Sequence, residues 1–188
     1  MNQSENYYSY LKRHSSIGNF YRKFLLYPKF NEILLGKTLD VGCGIGHYLT
    51  FQLGAQGVDI NPINVADCLG RGLDASVMLP DILPFEGVSF DSVLLDNVLE
   101  HIAEPFPLIS EIKRVLRPDG TLLIGVPGSK GMAHDPDHKV AYDETSLVAL
   151  ANASGFSVRE FFYMPLFKSE WLSKNLRQYC TYSIWAKK

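Results

Sequence analysis

Twelve residues, Thr38-Leu39-Asp40-Val41-Gly42-Cys43-Gly44-Ile45-Gly46-His47-Tyr48-Leu49, constrain this chain more than any others. A β-prone apolar run enters three glycines at every second position, and a helix-compatible pattern leaves them. That is how a strand hands over to a helix around a small ligand, because glycine lets the backbone turn tightly and lie close to it. Further on, Gly57-Val58-Asp59-Ile60 reads as a second short strand ending in a carboxylate, at the range where a ribose diol is gripped.

The rest of the chain suits one ordinary domain. With 188 residues, 46% hydrophobic and 20% charged, it is large enough to bury its own core. The 18 Lys+Arg against 20 Asp+Glu leave a net charge of −2, which argues against a nucleic-acid partner. Three scattered cysteines, Cys43, Cys68 and Cys180, supply neither a disulfide framework nor a zinc set and fit a reducing cytoplasm. No apolar run reaches membrane-spanning length, and the polar start does not read as a signal peptide, so a cytoplasmic protein without a membrane partner is expected.

From Thr38 onward strand and helix patterns alternate, as in a parallel sheet covered on both faces. Strands are expected near 38–42, 56–60, 75–79, 90–96, 121–126, 157–167 and 179–187, and helices near 46–53, 63–70, 103–116 and 143–154. Arg117-Pro118-Asp119-Gly120 reads as a helix stop followed by a turn. The 168–178 connection is too short for a full crossover helix, so the last two strands should pair as an antiparallel hairpin. Residues 1–36 form an N-terminal helical segment, cover or lid, on the 37–188 ligand-binding part. Within it Phe20, Phe24, Tyr27 and Phe30 fall at helical spacing and Pro28 breaks or starts a helix. Tyr7, Tyr8, Tyr10 and Arg13 are candidates to close over a ligand.

The chemistry of the glycine loop narrows the ligand. A dinucleotide pyrophosphate is cradled by Gly-x-Gly-x-x-Gly. Here the spacing is Gly-x-Gly-x-Gly with Asp40 two residues before Gly42. A carboxylate there repels pyrophosphate but suits an ammonium, held directly or through water. This disfavours a nicotinamide-dependent oxidoreductase.

Asp40 to Gly46 resembles motif I of the class I S-adenosylmethionine-dependent methyltransferases, of the small type 11 kind. The later blocks Leu83-Pro84-Phe85, Asn97-Val98-Leu99-Glu100-His101-Ile102 and Glu111 to Gly120 keep that family's order. The resemblance implies a Rossmann-like α/β fold, a seven-stranded and mostly parallel sheet with its last strand antiparallel. It implies S-adenosylmethionine as cofactor, with Asp40, Gly42, Cys43, Gly44 and Gly46 under the methionine half, and Asp59 and Ile60 at the ribose. Asp81 and Ile82 fall at the adenine, although Asp81 stands closer to Leu83 than the family pattern has it. Asn97 falls near the transferring methyl. Asp59 is alternatively a helix cap, Asp81 a plain loop carboxylate, and Asn97 a cap.

His101 and His138 are the candidate bases, because an imidazole at the mouth of the site can take a proton from a hydroxyl acceptor. His101 is alternatively structural. The segment His134-Asp135-Pro136-Asp137-His138 carries two histidines and two aspartates, which are metal-ligand types; with no companion ligand set evident, no metal is assigned. The expected activity is methyl transfer to a small molecule or metabolite, on oxygen or nitrogen rather than carbon. The alternative is a non-catalytic S-adenosylmethionine-binding partner subunit.

Overall fold

The structure is a computed structural model that describes residues 16–188, so Tyr7, Tyr8, Tyr10 and Arg13 lie outside the described residues. A helical run over 16–33 (α1) comes first, and Pro28 sits inside it. Proline has no N–H to bond one turn back, and the run widens to π register over Arg22–Leu26 just before it. Tyr27 and Phe30 are buried as their spacing predicts. Phe20 and Phe24 are not: they stay 62% and 55% exposed and pack on each other.

There follow β1 (Thr38–Val41), α2 (His47–Phe51), β2 (Gln56–Asp59), α3 (Pro62–Gly70), β3 (Ala75–Val77) and β4 (Phe90–Asp96). The second half comprises α4 (Phe106–Val115), β5 (Leu116–Pro127), α5 (Ser129–Met132), α6 (Glu144–Ala153), β6 (Phe156–Met164), α7 (Glu170–Asn175) and β7 (Cys180–Lys187). These strands make one seven-stranded sheet in the order β3-β2-β1-β4-β5-β7-β6. The ladders from β3 through β5 are parallel, and β7 runs antiparallel to both β5 and β6. The expected terminal hairpin therefore forms, with β7 inserted between β5 and β6 rather than added at the edge.

The helix stop and turn expected at Arg117 to Gly120 hold: α4 ends at Val115, and the β4–β5 ladder pairs Leu116 with Phe90 and resumes at Thr121 with Ser92, leaving Arg117 to Gly120 without a ladder partner. The turn signal survives as an irregularity inside the strand, with Asp119 at φ 63°. Arg117 bonds Asp91 at 2.6 Å across this kink, and the Lys37 N–H donates to the same carboxylate.

Apolar side chains fill both faces of the sheet. Leu108, Ile109, Ile112 and Val115, one face of α4, pack with Leu147 and Ala151 of α6 on Val93, Leu95, Leu122 and Trp185. On the other face Leu26, Tyr27 and Phe30 of α1 pack with Tyr48, Val65 and Tyr182. The Tyr48 hydroxyl donates to Asn31, which in turn donates to Gln52, fastening α1 to α2. This places Tyr21, Arg22 and Tyr27 over the carboxyl edge of the sheet.

Candidate active site

A cavity of about 650 Å³ opens at the carboxyl ends of β1, β4 and β5, at the point where the strand order reverses. Its walls bring together Asp40, Gly42, Cys43, Gly44, Asn97, His101 and His138 from the sequence expectation. Gly46, Asp59, Ile60, Asp81 and Ile82 are not on its wall.

The glycine loop is shaped by backbone geometry. Gly42, Gly44 and Gly46 all have positive φ, at 76°, 53° and 70°. A Cβ on Gly42 would meet Val98 at 2.4 Å, and one on Gly46 would meet the Cys68 sulfur at 2.8 Å. Gly46 therefore serves packing as the N-cap of α2. Asp40 is 5% exposed, and burial, with Asp96 and Asp59 nearby, holds its carboxyl well above the usual range.

Asp59 is placed differently from a free ribose ligand. One oxygen accepts the Gly44 N–H at 2.8 Å; the other accepts the Asn61 N–H at 2.8 Å and the Asn64 amide at 3.2 Å. Burial raises its pKa against these three bonds, which lower it. It is also not the helix cap, since Asn61 caps α3 by accepting from Ile63. Three bonds leave room for about one more on a carboxylate. Outside the cavity, Ile60, Leu79 and Ile82 are exposed apolar side chains at the ends of β2 and β3. Asp81 sits in the tight Leu79 to Ile82 turn with φ 59°.

Beyond β4 the wall is polar. Asp96 accepts from the Tyr182 hydroxyl and the Asn97 amide, and burial lifts its pKa to about 6, opposed chiefly by Arg22. Asn97 is no helix cap: its backbone N–H donates to Gly125 and it lies at φ 54°. Glu100 follows on a short 3-10 turn, Leu99–His101. It is 1% exposed, neither carboxylate oxygen accepts a hydrogen bond among the described residues, and burial pushes its pKa to about 8. The His101 ring lies 4.6 Å from that of His138, and burial followed by that neighbour lowers its pKa.

Sequence reasoning missed Glu100, Asp96, Arg22 and the tyrosines 21, 27, 48 and 182 on this wall. A buried carboxylate carries no periodic signal, although its place beside His101 offered a hint.

The doubly covered parallel sheet, with a glycine-loop crevice and an antiparallel β7, is the Rossmann-like fold of the class I methyltransferases. Residues 39–124 match the family described as methyltransferase domain. Of its relatives, the probable phthiotriol/phenolphthiotriol dimycocerosates methyltransferase 2 of Mycobacterium ulcerans is 40% identical over 95 residues, 45% of this chain and 36% of that protein. The chloroplastic tocopherol O-methyltransferase of Arabidopsis thaliana is 33% identical over 106 residues, 50% of this chain and 30% of that protein. The matched stretches thus span less than half of the curated relatives' length. A solved S-adenosylmethionine-dependent methyltransferase from Thermotoga maritima, described as a possible histamine N-methyltransferase, superposes with TM-score 0.76, covering 98% of both chains at 19% identity. The likeness over residues 39–124 is to a methyltransferase domain, and solved structures of this fold are S-adenosylmethionine-dependent methyltransferases, a likeness that implies S-adenosylmethionine as cofactor. No described helix is long and apolar enough to cross a membrane.

The residues present fit that cofactor. A buried carboxylate at Asp40 calls for a cation, and the cavity lies within the range of about 300–1,000 Å³ that small-molecule sites occupy.

Proposed function

We propose that this chain transfers a methyl group from S-adenosylmethionine to an oxygen or nitrogen of a small molecule. The observation that carries this reading is that Asp40 and the glycine loop line one cavity together with Glu100, His101 and His138. When bound, S-adenosylmethionine supplies an electrophilic sulfonium methyl. Asp40 answers the ammonium of its amino-acid part, and Arg22, which lines the same cavity from α1, answers its carboxylate.

Asp59 stiffens the loop through Gly44 and keeps about one acceptor site for a ribose hydroxyl. Exposed Ile60, Leu79 and Ile82 offer apolar surface to the flat faces of adenine, with Asp81 at its rim. Tyr21 and Tyr27 of α1 narrow the cavity and exclude water, which makes α1 a cover over the site. His101 and His138 are the imidazoles within reach of an acceptor. Positioning of the two reactants supplies most of the acceleration.

Titration calorimetry with S-adenosylmethionine tests the reading, followed by a methyl-transfer screen over phenols, alcohols and amines. The expected result is binding that weakens about tenfold or more in Asp40→Asn, the scale of one lost charge-assisted hydrogen bond. Tight NADH binding without affinity for S-adenosylmethionine would sink the reading. Cofactor binding with no transfer to any acceptor would favour the partner-subunit alternative.

A further inference from the structure

Three side chains from two separated segments converge on one point of the cavity wall. Glu100 and His101 come from the turn after β4, and His138 comes from the connection after α5. One ligand-type atom from each lies within 4.8 Å of the other two. Glu100 Oε1 is 3.7 Å from His138 Nε2.

Each group is set up for a role that nothing present fulfils. The Glu100 side chain is 1% exposed, and neither of its oxygens finds a donor among the described residues, although a buried carboxylate left so is costly. His138 Nδ1 lies 3.1 Å from the Met132 carbonyl. A carbonyl only accepts, so Nδ1 carries a proton, and Nε2 is the ring atom on the side of Glu100. The backbone of Asp137 lies beside His101 and favours the charged form of its ring. A ring nitrogen tied to a backbone carbonyl while the other points at a shared centre is the outer-shell pattern of ligating histidines.

We propose that Glu100, His101 and His138 bind a divalent first-row transition-metal ion whose open positions face the cavity. Two imidazoles and one carboxylate suit manganese, iron, cobalt or zinc, whereas magnesium and calcium favour all-oxygen sets. Ligated atoms sit roughly 3–3.5 Å apart around such an ion, so the three must draw in by about 1 Å, which side-chain rotation supplies. The backbone on both sides is already fixed: the Lys139 and Val140 N–H groups donate to the Glu100 carbonyl, holding the two segments together.

The site deepens the methyl-transfer reading, on which this further step rests. Three protein ligands leave positions for a hydroxyl oxygen of the acceptor, and a second oxygen on the adjacent carbon closes a chelate. The ion lowers the pKa of that hydroxyl, whose proton passes to water. The oxygen lone pair then forms the bond to the methyl carbon, the carbon–sulfur bond breaks, and its electron pair stays on sulfur as a neutral thioether. The ion keeps its oxidation state throughout. Ligated imidazoles have no lone pair left for a proton, so His101 and His138 are positioning residues, not bases.

The test uses the full chain after chelator treatment, titrated with cobalt(II), manganese(II) and zinc(II) by calorimetry and, for cobalt, by visible absorption. One ion per chain in the micromolar range or tighter is expected, with magnesium at least tenfold weaker. His101→Ala and His138→Ala should each weaken uptake at least tenfold and change the cobalt spectrum. Should either variant fail to fold by circular dichroism, the near-isosteric Glu100→Gln takes its place with the same expectation. No saturable uptake below millimolar metal, or unchanged affinity in the His101→Ala/His138→Ala double variant, overturns the site. A chain that binds S-adenosylmethionine and no ion defeats this inference alone. A chain that takes up the ion at these residues but ignores S-adenosylmethionine supports the site and defeats the methyl-transfer reading.

Discussion

Asp59 and Glu100 are both buried carboxylates at the carboxyl edge of one sheet, yet they are opposites. Asp59, after β2, is held by three N–H donors and stands behind the glycine loop. Glu100, after β4, has none among the described residues and faces the cavity. The Asp59 bonds behind the glycine loop are therefore made before any ligand arrives. Glu100 instead carries unmet polar demand that a ligand can satisfy.

Substitution should give opposite signs at the two carboxylates. Asp59→Ala strands three N–H donors, two of them buried, and should destabilise the chain by about 3 kcal/mol, seen as a lower urea midpoint. Burial raises the Glu100 pKa to about 8, so above that pH, where its carboxylate is charged, Glu100→Gln should raise stability of the cation-free chain by about 1–2 kcal/mol. If both substitutions destabilise equally, the contrast between the two carboxylates fails.

Asp96 sharpens the comparison by pH. It faces Arg22 and Tyr21 from α1, Asp40 from β1, and Tyr182 and Cys180 from β7. Its folded pKa, about 6, lies above the usual 3.8, so its contribution to stability is complete below about pH 4 and is lost as pH rises through 6. Asp96→Asn should flatten this fall by about 1–2 kcal/mol, measured by chemical denaturation at pH 4 and pH 7. The smallest effect belongs to the exposed outer face of α1. Phe20→Ser should change stability by less than about 0.5 kcal/mol, and a larger loss in thermal melts would show that this face is covered.

Local signals carried the sequence reading furthest where structure is local. Three alternating glycines specify the β1–α2 turn because positive φ is a single-residue property, and the α4 face Leu108, Ile109, Ile112 and Val115 repeats at 3.6 residues. Arg117 to Gly120 likewise stops α4 at Val115 and turns out of the ladder, because proline and glycine act within a few residues. Phe20 and Phe24 misled, because spacing defines a helix face but not what stands opposite it.

By itself, then, the sequence determined the strand-to-helix glycine loop, the alternating layers and the family of the cofactor, all written in short spacings that backbone sterics and side-chain periodicity enforce. Tertiary structure alone decided that Asp59 turns inward to the loop, that β7 slides between β5 and β6, and that His138 meets Glu100 and His101. Those outcomes depend on contacts between residues tens of positions apart, whose directions no local pattern encodes.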